Sequence, residues 1–91
     1  MTMRGVKLKC PRHGDTAKQC REMGIDVGNI IVGRESWADG GWSEARLTLL
    51  FLGKSVAVWS VKKRNNTNPR WRSDGECGNW TLRYRQWELV G

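Results

Sequence analysis

Lys62, Lys63, Arg64, Arg70 and Arg72 place five cations in a stretch of eleven residues that holds no acid, with Trp71 between two of the arginines. Cations can follow a phosphate backbone while an indole face stacks on an unpaired base, so this combination fits nucleic-acid contact on a small β-domain. Arg83-Tyr84-Arg85-Gln86-Trp87 repeats the theme, which adds Arg83 and Arg85 to the candidate set. The same residues also fit a plainer role, in which the cations keep a tryptophan-rich domain in solution and Trp71, Trp80 and Trp87 are core residues.

Cysteine and histidine offer a second chemistry. Cys10-Pro11-Arg12-His13 has the spacing of a zinc half-site, and Cys20 and Cys77 complete a candidate Cys₃His set. Against it, Cys20 falls in a predicted helix, and a buried free cysteine commonly acts as a small hydrophobe. No cofactor is therefore expected. An odd count of three cysteines fits a reduced compartment better than a disulfide framework. Catalysis has little support. His13 is the single imidazole, a Cys10–His13 pair has no orienting partner except Asp15, and no phosphate-cradling glycine motif occurs. A binding protein is expected, not an enzyme, with no small-molecule substrate.

These side chains must be positioned by short elements. Val6, Leu8 and Cys10 alternate with Lys7 and Lys9, which predicts a half-buried strand over Gly5–Cys10. Asp15 is a predicted N-cap for a helix over Thr16–Met23, and Gly24 supplies the left-handed residue that ends it. β-Branched residues predict a strand over Ile30–Arg34, followed by a loop over Ser36–Gly41 flanked by Trp37 and Trp42.

The strongest signal is a hairpin with arms near Ala45–Leu52 and Ser55–Lys63. Gly53-Lys54 fits a two-residue type II′ turn, which sets 51 opposite 56, 49 opposite 58 and 47 opposite 60. One face is then Leu47, Leu49, Phe51, Val56 and Val58, the expected core. The other carries Arg46, Thr48, Leu50, Leu52, Ala57, Trp59 and Val61, too apolar to face water bare. Either the helix or the Trp37–Trp42 loop covers it, or it is a partner-binding face with Trp59, Trp37 and Trp42 as anchors. Lys62–Ser73 reads as a long loop, and Trp80–Tyr84 and Arg85–Val90 as a last pair of strand-like segments.

The chain has 91 residues, 38% hydrophobic and 27% charged, with six Trp, eleven Gly and two Pro, so it is expected to be a single domain over 1–91 rather than a coiled coil or a multidomain enzyme. The predicted fold class is mainly β (α+β): a small SH3-like barrel or rolled antiparallel sheet of about five strands with one short helix, or alternatively an OB-like barrel. A net charge of +7 favours acidic partners and disfavours a DNA mimic. The longest apolar run, Leu49-Leu50-Phe51-Leu52, is far below the roughly 20 residues of a membrane span. Arg4, Lys7 and Lys9 lead into Pro11, Arg12 and His13 and not into an apolar segment, so a cytoplasmic location without membrane contact is expected.

Several motifs carry a resemblance. Val27-Gly28, Gly33-Arg34-Glu35, the run from Glu44 to Gly53, Val56-Ala57-Val58-Trp59, Asn79-Trp80-Thr81-Leu82, Trp87 and Cys10-Pro11-Arg12-His13-Gly14 resemble an uncharacterised family of small proteins from tailed phages and prophages. The resemblance spans nearly the whole chain, and its motifs are structural. It implies a phage accessory protein in the cytoplasm of an infected or lysogenic bacterial host. Such a protein would act by stoichiometric binding to nucleic acid or to a nucleic-acid-bound host complex, or else as an inhibitor of a host or defence enzyme. A zinc-stabilised structural module is the third expectation.

Overall fold

The computed structural model describes residues 6–8, 10, 14–82 and 85–91. Six antiparallel strands and one helix follow in chain order: β1 (Val6–Leu8), α1 (Thr16–Met23), β2 (Ile30–Ser36), β3 (Trp42–Leu52), β4 (Ala57–Asn65), β5 (Arg72–Gly78) and β6 (Gln86–Leu89). They form one rolled sheet in the order β1-β6-β2-β3-β4-β5, which leaves β1 and β5 at its edges. The mainly β class with a short helix between the first two strands is as expected from sequence, with six strands where about five are predicted.

The helix matches its sequence signals. The Asp15 carboxylate accepts a hydrogen bond from the Lys18 N–H at 2.8 Å, and Gly24 closes the helix at φ 76°. Ala17 and Cys20 turn inward and are fully buried. Arg21 donates to the carbonyls of Gly53 and Lys54, which ties α1 to the tip of the β3–β4 hairpin.

The hairpin exists, but its register differs from the predicted one. Leu52 pairs with Ala57 and Phe51 with Val58, so the connection is the four residues 53–56, closed by a Gly53 N–H to Val56 carbonyl bond of 2.7 Å. A bulge between Leu49 and Phe51 then shifts the ladder, so that Leu49 faces Trp59 and Leu47 faces Val61. A one-residue slip exchanges the faces of a strand. The buried face is therefore Ala45, Leu47, Leu49, Ala57, Trp59 and Val61, while Phe51 and Val56, predicted as core, are exposed at 55% and 39%.

Three further expectations are corrected. β4 runs on to Asn65 and β5 begins at Arg72, so the predicted long loop over Lys62–Ser73 shrinks to residues 66–71. β5 has no apolar period to read; it is an exposed edge strand held by backbone pairing to β4. Residues 80–82 are not strand, and β6 is inserted between β1 and β2. Of the first strand's expected span, Val6–Leu8 is strand and Cys10 is not, while Gly5 and Lys9 lie outside the described residues.

The core lies between α1 and one face of the sheet, where Cys20, Ile25, Ile31, Leu47, Leu49, Trp59, Val61, Leu82 and Trp87 form one cluster. Gly33 is required there: a Cβ at this position would sit 2.7 Å from the Trp87 ring. The Trp87 indole donates to the Leu82 carbonyl at 2.7 Å and meets Trp80 edge-on, with centroids 5.8 Å apart.

Candidate nucleic-acid interface

The second face of the sheet carries no helix, and its composition follows from strand alternation. Residues paired across β2, β3 and β4 share a face when they lie in one row of the ladder. One row runs Val32, Arg46, Lys62; the next runs Arg34, Glu44, Arg64; a third pairs Ser36 with Trp42. The sheet thus sends Ile31, Ala45, Leu47 and Val61 into the core and an arginine-rich set to the open side.

On that side the arginines and tryptophans interleave. The Arg34 guanidinium carbon lies 4.5 Å from the Trp42 ring centroid and that of Arg64 5.8 Å from it, while Arg64 also lies 4.4 Å from the Trp71 ring. The Arg64 side chain pairs with Glu44 at 2.6 Å. Glu44 is the acid of this row, so Arg34 is held by stacking alone, without an ion pair among the described residues. A guanidinium over an indole face keeps N–H donors that can meet a phosphate. Arg46 and Lys62 stand directly opposite one another, two like charges in register with no ion pair among the described residues. Such a pair opposes folding, and an anion between the two would relieve it.

An open groove of about 840 Å³ extends this face toward β6 and β1, lined in part by Lys7, Val32, Arg34, Glu44, Arg85 and Glu88. The turn at 37–41 borders the opposite end, where Trp37 is 52% exposed and its backbone closes on the Gly41 carbonyl. Asn66 clamps the neighbouring loop to Trp42 through two hydrogen bonds, Asn66 N–H to the Trp42 carbonyl and the Trp42 N–H to Asn66 Oδ1. Trp37, Trp42 and Trp71 thus share one end of the molecule.

The predicted basic set divides. Lys62, Arg64 and Trp71 reach the open face, and Arg70 is exposed in the loop before it. Lys63 and Arg72 are paired across β4 and β5 on the other face, where Lys63 bonds Asp74 at 2.9 Å. Arg85 is a strut and not a surface cation: its side chain is 10% exposed, it donates to the carbonyls of Gly33 and Ser43, and it pairs with Glu35 at 3.2 Å. Burial pulls its pKa down, opposed by Glu35. Arg83 lies outside the described residues.

The Trp-centred alternative loses its centre. Trp59 is fully buried, and its indole N–H has no hydrogen-bond partner among the described residues, whereas Trp42 and Trp37 belong to the basic end. The face predicted around Trp59 does not form as a unit: Ala57, Trp59 and Val61 join Leu47 and Leu49 beneath α1, while Arg46 pairs with Lys62 on the open side.

The described members of the zinc set are not assembled. Cys10 packs at the core beside Cys20, but no three of the described His, Cys, Asp and Glu residues converge, so Cys77 does not join them; His13 lies outside the described residues. Burial raises the Cys10 thiol and pushes Cys20 up to about 11, with the proximity of Cys10 adding to the latter.

Sequence reasoning missed Arg34 and Arg46. The signal that finds them is the alternation of Arg34 with Gly33 and Ile31, and of Arg46 with Ala45 and Leu47, once the register is known. No described helix is long and apolar enough to cross a membrane. Compared with protein-family models, curated proteins and solved structures, the chain matches none.

Proposed function

We propose that this protein is a non-catalytic phage accessory protein that binds nucleic acid, free or within a host complex, through the open face of its sheet. The observation that carries the reading is the series Arg34, Trp42, Arg64 and Trp71 beside Arg46 and Lys62, two cations without an ion pair among the described residues. Aromatic faces with interleaved cations are the chemistry of backbone-tracking, base-stacking surfaces. A net charge of +7 adds long-range attraction for a polyanion. The phage assignment rests on the motif resemblance alone.

The test is a salt titration of binding to labelled oligonucleotides. The logarithm of the affinity falls linearly with the logarithm of salt concentration if the face neutralises phosphates. Absence of binding at low salt overturns the reading.

A further inference from the structure

We infer that the ligand of the open face is a single strand, lying across β2, β3 and β4 with its phosphates on Arg34, Arg46 and Lys62 and a base stacked on Trp71. This deepens the nucleic-acid reading and rests on it. Arg46 and Lys62 are in register on adjacent strands, and Arg34 stands one row along on the third. Adjacent strands are about 4.8 Å apart, so the three cations step across the sheet on the scale of neighbouring phosphates. None of the three has an acidic partner among the described residues, since Glu44 is taken by Arg64.

Trp71 decides between single and double strands. Its ring is half-buried with the Arg64 guanidinium 4.4 Å from its centroid, and Arg64 is itself fixed by Glu44. The indole is thereby held ready for a planar partner. In a duplex the base faces are occupied by their neighbours, so Trp71 has nothing to stack on. An unpaired base supplies that face, and stacking is tolerant of base identity. The strand that fits is therefore recognised by its backbone and its unpaired bases, with little sequence preference.

The experiment compares short oligothymidylate and oligouridylate with a duplex of equal phosphate number, read by anisotropy and by tryptophan fluorescence across a salt series. Wild type is expected to bind the single strands about tenfold more tightly than the duplex, with quenching, and with a log–log salt slope of about −2 for three phosphates. Trp71→Ala removes about tenfold of single-strand affinity and leaves the slope unchanged, while Trp71→Phe restores most of it. Arg46→Glu with Lys62→Glu flattens the slope by about 1 or more. Duplex binding as tight as single-strand binding, or a Trp71→Ala variant of undiminished affinity, overturns this inference and leaves nucleic-acid binding standing. No binding to any of the oligonucleotides overturns both.

Discussion

The two faces of the sheet use tryptophan in opposite ways. On the covered face Trp59 and Trp87 are sealed among Ile31, Leu47, Leu49 and Val61. On the open face Trp42 and Trp71 are half-buried, and an arginine guanidinium lies over each ring. The residue type is the same; the row of the ladder in which it falls decides whether its neighbours are apolar or charged. Tryptophan content is therefore no measure of a binding surface until the register is known.

The largest expected effect separates the faces directly. Trp59→Ala removes a fully enclosed ring and costs about 3–5 kcal/mol, enough to unfold many domains of this size. Trp71→Ala, at a half-open position, costs about 1 kcal/mol or less. Urea unfolding measures both, and equal losses would break the two-face description. Conservative replacements sharpen it within the core. Trp59→Phe gives up an indole N–H that has no partner among the described residues, whereas Trp87→Phe strands the Leu82 carbonyl, so the second is the more damaging.

Cys20 gives the next effect, on the covered side. Its thiol ionises near 9.0 when unfolded and near 11 in the fold, because burial penalises the thiolate. The folded state thus holds its proton more tightly. Stability from this group is complete below pH 9.0 and is lost as the pH climbs toward 11, by about 2 kcal/mol at most. Urea midpoints measured across that range should fall more steeply for wild type than for Cys20→Ala. Parallel curves would mean that the thiol is not sealed between α1 and the sheet.

The difference between what was legible and what was not follows from the same geometry. α1 is written locally, in Asp15 and Gly24, and both caps form. The existence of the β3–β4 hairpin is written in two apolar runs around a glycine. Its register is not, because Gly53 fits a two-residue turn and the observed four-residue connection equally well, and nothing at Leu50 marks a bulge. β5 is silent because an exposed edge strand needs backbone partners and no apolar period. The basic stretch from Lys62 to Arg72 is legible as composition, yet alternation along β4 sends Lys62 and Arg64 to one face and Lys63 to the other. Arg34 and Arg46 are far from that stretch in sequence, and only pairing across the sheet brings them to it.

The smallest effect tests the register on which all of this depends. With the two-residue turn, Phe51 would point into the core, and Phe51→Ser would cost about 3 kcal/mol or more through a cavity and a buried hydroxyl. With the bulge, Phe51 lies on the open face, 55% exposed and resting against Gly53 at the hairpin tip. The substitution then costs about 1 kcal/mol or less, and the midpoint of urea unfolding moves little. Leu49→Ser, two residues earlier and fully buried, is the internal reference and should be severely destabilising in either register. A Phe51→Ser loss as large as that of Leu49→Ser would restore the shorter turn. It would also return Trp59 to the face of Arg46, and the arginine–tryptophan surface would have to be redrawn.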